Sequence, residues 1–295
     1  YDILRGTARL TSAGTNGEND TGDFSSFDSA GFTLTGGKNQ TNASGKNYVG
    51  WAWDGGTSTA SNTDGSITSN VRANQAAGFS IVSYTSNDTA GATVGHGLNA
   101  PMEFAIFKNR DSSVNWVVYH KSLNITSGQA INLNSTGAAY TSNAQFNSTA
   151  ATNSVFTIGS GGNTGYSSGD DFIAYCWTSV SQYSSFGSYV GNGSADGPLV
   201  YTGFRPAFIF FKRTDSTGFW RIMDTARDPH NVAYHALFPN SANTEASTQG
   251  SDQYDIDFLS NGFKLRTTLA SSNASSGTFI YACFAEHPLK TARAR

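Results

Sequence analysis

The chain has 295 residues, of which 38% are hydrophobic and only 13% charged, and its formal net charge is −3. An apolar fraction of that size supplies a folded core. The mild acidity excludes a basic face built for many phosphate contacts, and the longest apolar runs fall short of a membrane-spanning helix. Charge is scarce against roughly 25% in ordinary globular chains, so solubility rests on the hydroxyls and amides of Gly-, Ser-, Thr- and Asn-rich loops. No secretion signal is visible, and any export is expected to follow another route such as cell lysis.

In chain order, Phe32-Thr33-Leu34 and Tyr48-Val49-Gly50-Trp51-Ala52-Trp53 read as strands, separated by the loop Gly36–Asn42. The same pair returns as Phe156-Thr157-Ile158 with Phe172–Trp177, and as Phe263-Lys264-Leu265 with Phe279–Phe284, with the two aromatics sixteen positions apart each time. Each pair is expected to form a hairpin around a flexible loop, Gly159–Gly165 in the second copy and Ser271–Gly277 in the third. A second recurrence joins Phe104–Trp116 to Phe208–Trp220, and a third joins Tyr1–Arg5 to Met223–Arg227. Recurrence at this spacing marks a tandem array.

The strand-like runs Ser80–Tyr84, Trp116–Tyr119 and Pro198–Thr202 complete the pattern, and helical periodicity is nearly absent. In Phe172–Trp177 both alternating faces are apolar, which places that strand inside a sheet. The expected fold class is all-β, with tandem antiparallel β-sandwich repeats of jelly-roll or lectin-like type. The expected organisation is residues 1–54 as the closing half of an incomplete β repeat, 55–77 as a connector with a turn, and 78–182 and 183–289 as β-sandwich repeats. Residues 290–295 form a solvated basic tail with Lys290, Arg293 and Arg295. The last two repeats lack linker composition between them and are expected to pack as one body. Because the opening unit starts mid-repeat, the sequence reads as a fragment, a processed product or part of a longer polypeptide.

Candidate chemistry is thin. Asp2 with Arg5, and Asp224 with Arg227, are expected to pin turns; the middle copy has His120-Lys121-Ser122-Leu123 instead. Asp111-Ser112-Ser113 and Asp215-Ser216-Thr217 are expected to define tight turns through Asp side chains rather than to hold a cation, which wants six to eight oxygens. His96, His120, His230, His235 and His287 show no zinc spacing. Asp170 and Asp171 are adjacent on a strand, face opposite ways and cannot flank one glycosidic bond. Cys176 and Cys283 are expected as buried thiols. Trp51, Trp53, Trp116, Trp177 and Trp220 are expected in the core, while Tyr140, Tyr166, Tyr183 and Tyr254 are the better candidates for ligand contact. The Asn-x-Ser/Thr triplets at Asn39, Asn87, Asn124 and Asn273 are what so Asn- and Ser-rich a chain generates by chance. No catalytic residue, no metal ligand and no cofactor is assigned, and the ligand-binding residues are unknown.

The runs Asn62–Ile67, Gly95-His96-Gly97-Leu98, Trp116–His120 and Phe186–Gly193, with Tyr201–Ala207 and Phe258–Leu265, resemble a repeat found in large structural proteins of marine tailed phages, cyanophages among them. The resemblance spans nearly the whole chain. It implies a lectin-like β-sandwich without an established active site, located on the virion surface and released when the host lyses. The implied function is non-enzymatic host-surface attachment as a tail-fibre or adhesin component; the alternatives are a decorating protein of capsid or tail and a polysaccharide depolymerase. Expected partners are further copies of the chain, as a homotrimer or larger assembly, other virion proteins and a host surface glycan, with no nucleic acid and no membrane insertion.

Overall fold

The computed structural model describes residues 1–165, 169–250 and 253–286. The strands in chain order are β1 (Phe24–Asp28), β2 (Gly31–Leu34), β3 (Thr59–Asn62), β4 (Ser69–Asn74), β5 (Phe79–Thr85), β6 (Thr93–Gly95), β7 (Phe104–Asn109), β8 (Val117–His120), β9 (Gln129–Asn132) and β10 (Tyr140–Thr141). They continue as β11 (Val155–Thr157), β12 (Asp171–Trp177), β13 (Ser184–Val190), β14 (Leu199–Tyr201), β15 (Phe208–Arg213), β16 (Arg221–Asp224), β17 (Ile256–Leu259), β18 (Gly262–Leu265) and β19 (Thr278–Phe284). One four-residue helix, α1 (Ala270–Asn273), and a 3-10 turn at Ile125–Ser127 are the helical elements among the described residues. The fold is all-β, with several antiparallel sheets.

The largest sheet has eight strands in the order β10-β9-β8-β7-β12-β5-β4-β3, and a four-stranded sheet runs β13-β19-β15-β16. Three smaller sheets are β11-β6, β14-β18-β17 and β1-β2. Core contacts stack four of these into layers. Phe156 of β11 meets Tyr84 and Phe107 on one face of the eight-stranded sheet. On the opposite face Phe104 meets Phe186 and Phe210, and Trp177 meets Phe284, joining the two large sheets. Beyond them, Tyr189 and Tyr281 meet Phe263 of the three-stranded sheet.

Strand β19 shows why this stacking follows from sequence. Its successive side chains point to opposite faces: Ile280, Ala282 and Phe284 belong to the core shared with the eight-stranded sheet, while Phe279, Tyr281 and Cys283 belong to the core under β18. Strand β12 is likewise apolar on both faces and paired on both edges, with β5 and β7. Burying one such Phe contributes about 2–3 kcal/mol. The shared core cluster contains residues from both sides of position 183. Cys176 and Cys283 are buried and unbridged.

Three sequence expectations are corrected. The pairs Phe156/Phe172 and Phe263/Phe279 are not hairpins: β11 pairs with β6 and β18 with β14 and β17, while β12 and β19 already have both edges filled. Each glycine- or serine-rich loop therefore crosses from one sheet layer to the next. Residues 48–53 form no strand, because no neighbouring strand pairs with them; Trp51 and Trp53 pack instead against Phe208, with Trp53 also against Phe284 and Trp177. Residues 55–77, read as a connector, carry the β3–β4 hairpin, whose Val71 is buried and which pairs through β4 with β5 to extend the eight-stranded sheet.

The β1–β2 and β17–β18 hairpins share one register. Phe27 faces Phe32 as Phe258 faces Phe263, and Asp28 faces Gly31 as Leu259 faces Gly262. Their burial differs: Phe263 is 0% exposed and Phe32 49%. Phe263→Ala is therefore expected to cost about 3–5 kcal/mol by urea denaturation, and Phe32→Ala less than ~1 kcal/mol.

Candidate functional site

The two Asp-x-x-Arg motifs fold alike. Asp2 Oδ1 accepts the backbone N–H groups of Leu4 and Arg5, at 3.0 and 3.1 Å, and its Oδ2 accepts Arg5 Nε at 2.5 Å. Asp224 Oδ1 accepts from Ala226 and Arg227 N–H, at 3.1 and 3.0 Å, and its Oδ2 accepts Arg227 Nε at 2.8 Å. Each carboxylate takes one more donor from a distant aromatic, Tyr175 Oη at 2.7 Å for Asp2 and Trp51 Nε1 at 3.2 Å for Asp224. The short carboxylate reaches back to its own backbone and closes the turn, while the guanidinium neutralises it. Both pairs pin turns, as the sequence implied. Arg5 continues to Glu18, which Arg110 grips with two bonds of 2.9 and 2.7 Å, so the N-terminal segment is clamped to the end of β7.

His96 and His120 also repeat one arrangement. In each, Nδ1 accepts the N–H two residues on, from Leu98 or Ser122, and Nε2 lies 3.2 or 3.0 Å from a carbonyl, of Thr152 or Tyr281. Those partners require the neutral tautomer protonated at Nε2. Burial pushes His120 down to about 4 and lowers His96. His120 thus ties β8 of one large sheet to β19 of the other.

Sequence reading passed over Lys108 and Lys212, which occupy matching places in β7 and β15 and are fully buried. Neither forms an ion pair among the described residues, although the Asp215 carboxylate, paired with Arg213, acts on Lys212 from a distance. Lys108 Nζ donates to the carbonyls of Asn109 and Ser112, at 2.6 and 3.0 Å, and Lys212 Nζ to those of Arg213 and Thr136, at 2.6 and 3.4 Å. Burial pushes both down to about 8, with nearby Arg221 adding to it at Lys212. Arg221 is itself buried over the rings of Phe211 and Tyr254, bonds Ser271, and is pushed down to about 10 by burial. The available signal was a Lys following four apolar residues in each recurring strand.

The remaining candidates do not converge. In the Asp111 turn it is Asn109 Oδ1 that accepts the N–H groups of Asp111 and Ser112, whereas Asp111 accepts from Asp171 N–H across the strand end. Asp215 pairs with Arg213 at 2.8 Å. Asp170 takes Asn109 and Ser112, while Asp171 takes Thr85, so these carboxylates are engaged separately. His235 Nδ1 lies 2.6 Å from Asp228, whose other oxygen holds two backbone N–H groups; His230 is exposed, and His287 lies outside the described residues. No group of three or more His, Cys, Asp or Glu converges among the described residues.

Trp116, Trp177 and Trp220 are buried, and Trp51 and Trp53 half-buried. Tyr140, Tyr183 and Tyr254 are half-buried, with Tyr254 under the Arg221 guanidinium; Tyr166 lies outside the described residues, as does the 290–295 tail. Asn273 is buried and spends its amide on Asn192, Ser194 and Thr267, whereas Asn39, Asn87 and Asn124 are exposed. A cleft of about 400 Å³ opens where the two large sheets meet, lined by Gln129, Ser188, Val190, Thr214, Asp215 and Thr278 among others.

Two pH effects follow. The folded value of His120 lies below its ordinary 6.5, so the unfolded chain takes up the proton first. The stability carried by the neutral ring is complete above pH 6.5 and falls toward pH 4, by on the order of 3 kcal/mol. His120→Gln is expected to flatten that difference in urea midpoints measured from pH 7 to 4. Lys108 and Lys212, lowered from 10.5, shed their protons in the fold while the unfolded chain keeps them, so stability rises with pH between about 8 and 10. The double variant Lys108→Met/Lys212→Met is expected to lose that rise in the same assay.

Neither a curated protein nor a solved structure matches the chain. One family model, described as a domain of unknown function (DUF7483), matches residues 1–288. With nearly its whole length covered, the chain belongs to the DUF7483 family.

Proposed function

We propose that this protein is a non-enzymatic virion structural component, a tail-fibre or adhesin part that mediates attachment to a host surface glycan. The phage-repeat resemblance suggests the setting, and one observation supports the role: what recurs along the chain is a set of shape-holding devices. The strand order β8-β7-β12-β5 recurs as β16-β15-β19-β13, and the overlying β6-β11 pair recurs as β14-β18. This supports reading the chain as tandem sandwich modules with a shared core. Within them the Asp–Arg turns, the neutral histidines and the carbonyl-bound lysines spend most of their polar atoms on backbone groups or on one another. A scaffold selected for rigidity uses charge in this way.

The cleft between the two large sheets is the concave surface at which this reading places glycan contact, since Gln129, Ser188 and Thr278 offer amide and hydroxyl groups beside the Asp215 carboxylate. Purified protein is expected to bind host cells or a host-polysaccharide array, and Ser188→Trp, which fills the cleft, to weaken binding by about tenfold. Silence across all host surface polysaccharides overturns the attachment reading.

A further inference from the structure

The large apolar side chains left exposed among the described residues are Ile3, Phe27, Phe32, Tyr48, Val190, Leu199 and Tyr201. Six of them fall into two groups. Phe27 and Phe32 lie on the β1–β2 hairpin, with Ile3 and Tyr48 in the same N-terminal segment, and Leu199 and Tyr201 lie on β14; Val190, at the end of β13, lines the cleft between the two large sheets instead. Among the described residues strand β2 pairs only with β1, and β14 only with β18, so each group sits on or beside a strand with one open edge. An open apolar edge is a template for another strand.

The molecule contains a worked example of what fits the edge of β2. Its counterpart β18, in the hairpin of the same register, has its second edge filled by β14, with Tyr201 opposite Gly262 and Val200 opposite Phe263. The approach is so close that a Cβ on Gly262 would stand 2.1 Å from Val200 O. At the corresponding Gly31 a Cβ would meet nothing within 4 Å. The β1–β2 hairpin thus keeps the glycine that admits a neighbouring strand, and the space beside it is open.

We infer that copies of this chain associate head to tail, the open edge of β2 pairing with the open edge of β14 in a second copy to make one continuous sheet, β1-β2-β14-β18-β17. Val200 turns its carbonyl toward β18, so the open edge of β14 presents the backbone groups of Leu199 and Tyr201; Tyr201 of the incoming copy stands opposite Phe32 and Leu199 opposite Leu34, apolar side chain against apolar side chain. Charge fits as well. Arg205, four residues beyond Tyr201 and past the bend at Gly203, is exposed and makes no ion pair among the described residues; Asp28, exposed at the hairpin turn, is held there by the hydroxyls of Ser26 and Thr33. Two different surfaces meet, so the contact is heterologous and propagates rather than closing as a dimer.

The test is sedimentation velocity on the full chain up to ~100 µM, with Phe32→Glu and Tyr201→Glu as variants blocked at opposite ends. Both positions are exposed, and circular dichroism checks that the fold is kept. The wild type is expected to grow in mean mass with concentration beyond a dimer. Each variant alone is expected to stay monomeric, and an equimolar mixture to form a one-to-one pair through the remaining intact head and tail. Asp28→Arg and Arg205→Asp are each expected to weaken association by about tenfold, and their combination to restore it. A wild type monomeric throughout, variants that associate undiminished, or a mixture that does not pair overturns the inference.

Discussion

Everything in this molecule is hung on two strands, β12 and β19, each apolar on both faces and paired along both edges. A strand of that kind cannot lie at a surface, because either face left wet would forfeit the burial of Phe, Ile and Trp side chains. Each therefore demands a cover on both sides. One cover is the small sheet reached by a glycine- or serine-rich crossing; the other is the large sheet of the neighbouring segment, met through Phe104, Trp177, Phe186, Phe210 and Phe284. The layered stack is the geometry that satisfies both demands at once.

So thick an apolar stack has many backbone groups at strand ends with no water to turn to. The chain answers with side chains that carry a hydrogen bond into the interior while staying neutral or charge-balanced. His120 bridges the two large sheets as an uncharged ring, Asp2 and Asp224 are neutralised by their arginines, and Asn273 shares its two amide N–H donors among three acceptors. Lys108 and Lys212 are the costlier solution, buried cations that hydrogen-bond carbonyls and form no ion pair among the described residues, and burial draws both toward their neutral forms. That two lysines occupy equivalent strand positions argues that anchoring the following loop outweighs the desolvation.

Much of the fold was legible because period-two alternation and repetition are local signals. The runs at Phe172 and Phe279, the β5, β8 and β14 strands, the buried cysteines and the Asp-x-x-Arg turns all lie where the pattern of residues puts them. The β3–β4 hairpin was hidden by its Ser, Thr and Asn content, since an edge extension needs little apolar surface of its own. The Trp51–Trp53 run misled in the opposite sense: aromatic alternation promises a strand, yet without a pairing partner the rings pack as a loop. For the polar interior, composition named the residues but not their partners. Asn109 rather than Asp111 closes its turn, and nothing in the local sequence reveals that the lysines of β7 and β15 form no ion pair among the described residues.

By itself the sequence determined that this is an all-β chain, where its interior strands run and which aromatic residues make its core, because side-chain alternation is written residue by residue. Only the tertiary structure decided which strand lies beside which. Pairing depends on edges, and an edge is filled or left open by segments distant in sequence: β12 is flanked on both edges by β5 and β7, so β11 pairs with β6, and β2 matches β18 at Gly31, Phe32 and Leu34 without the strand that covers them.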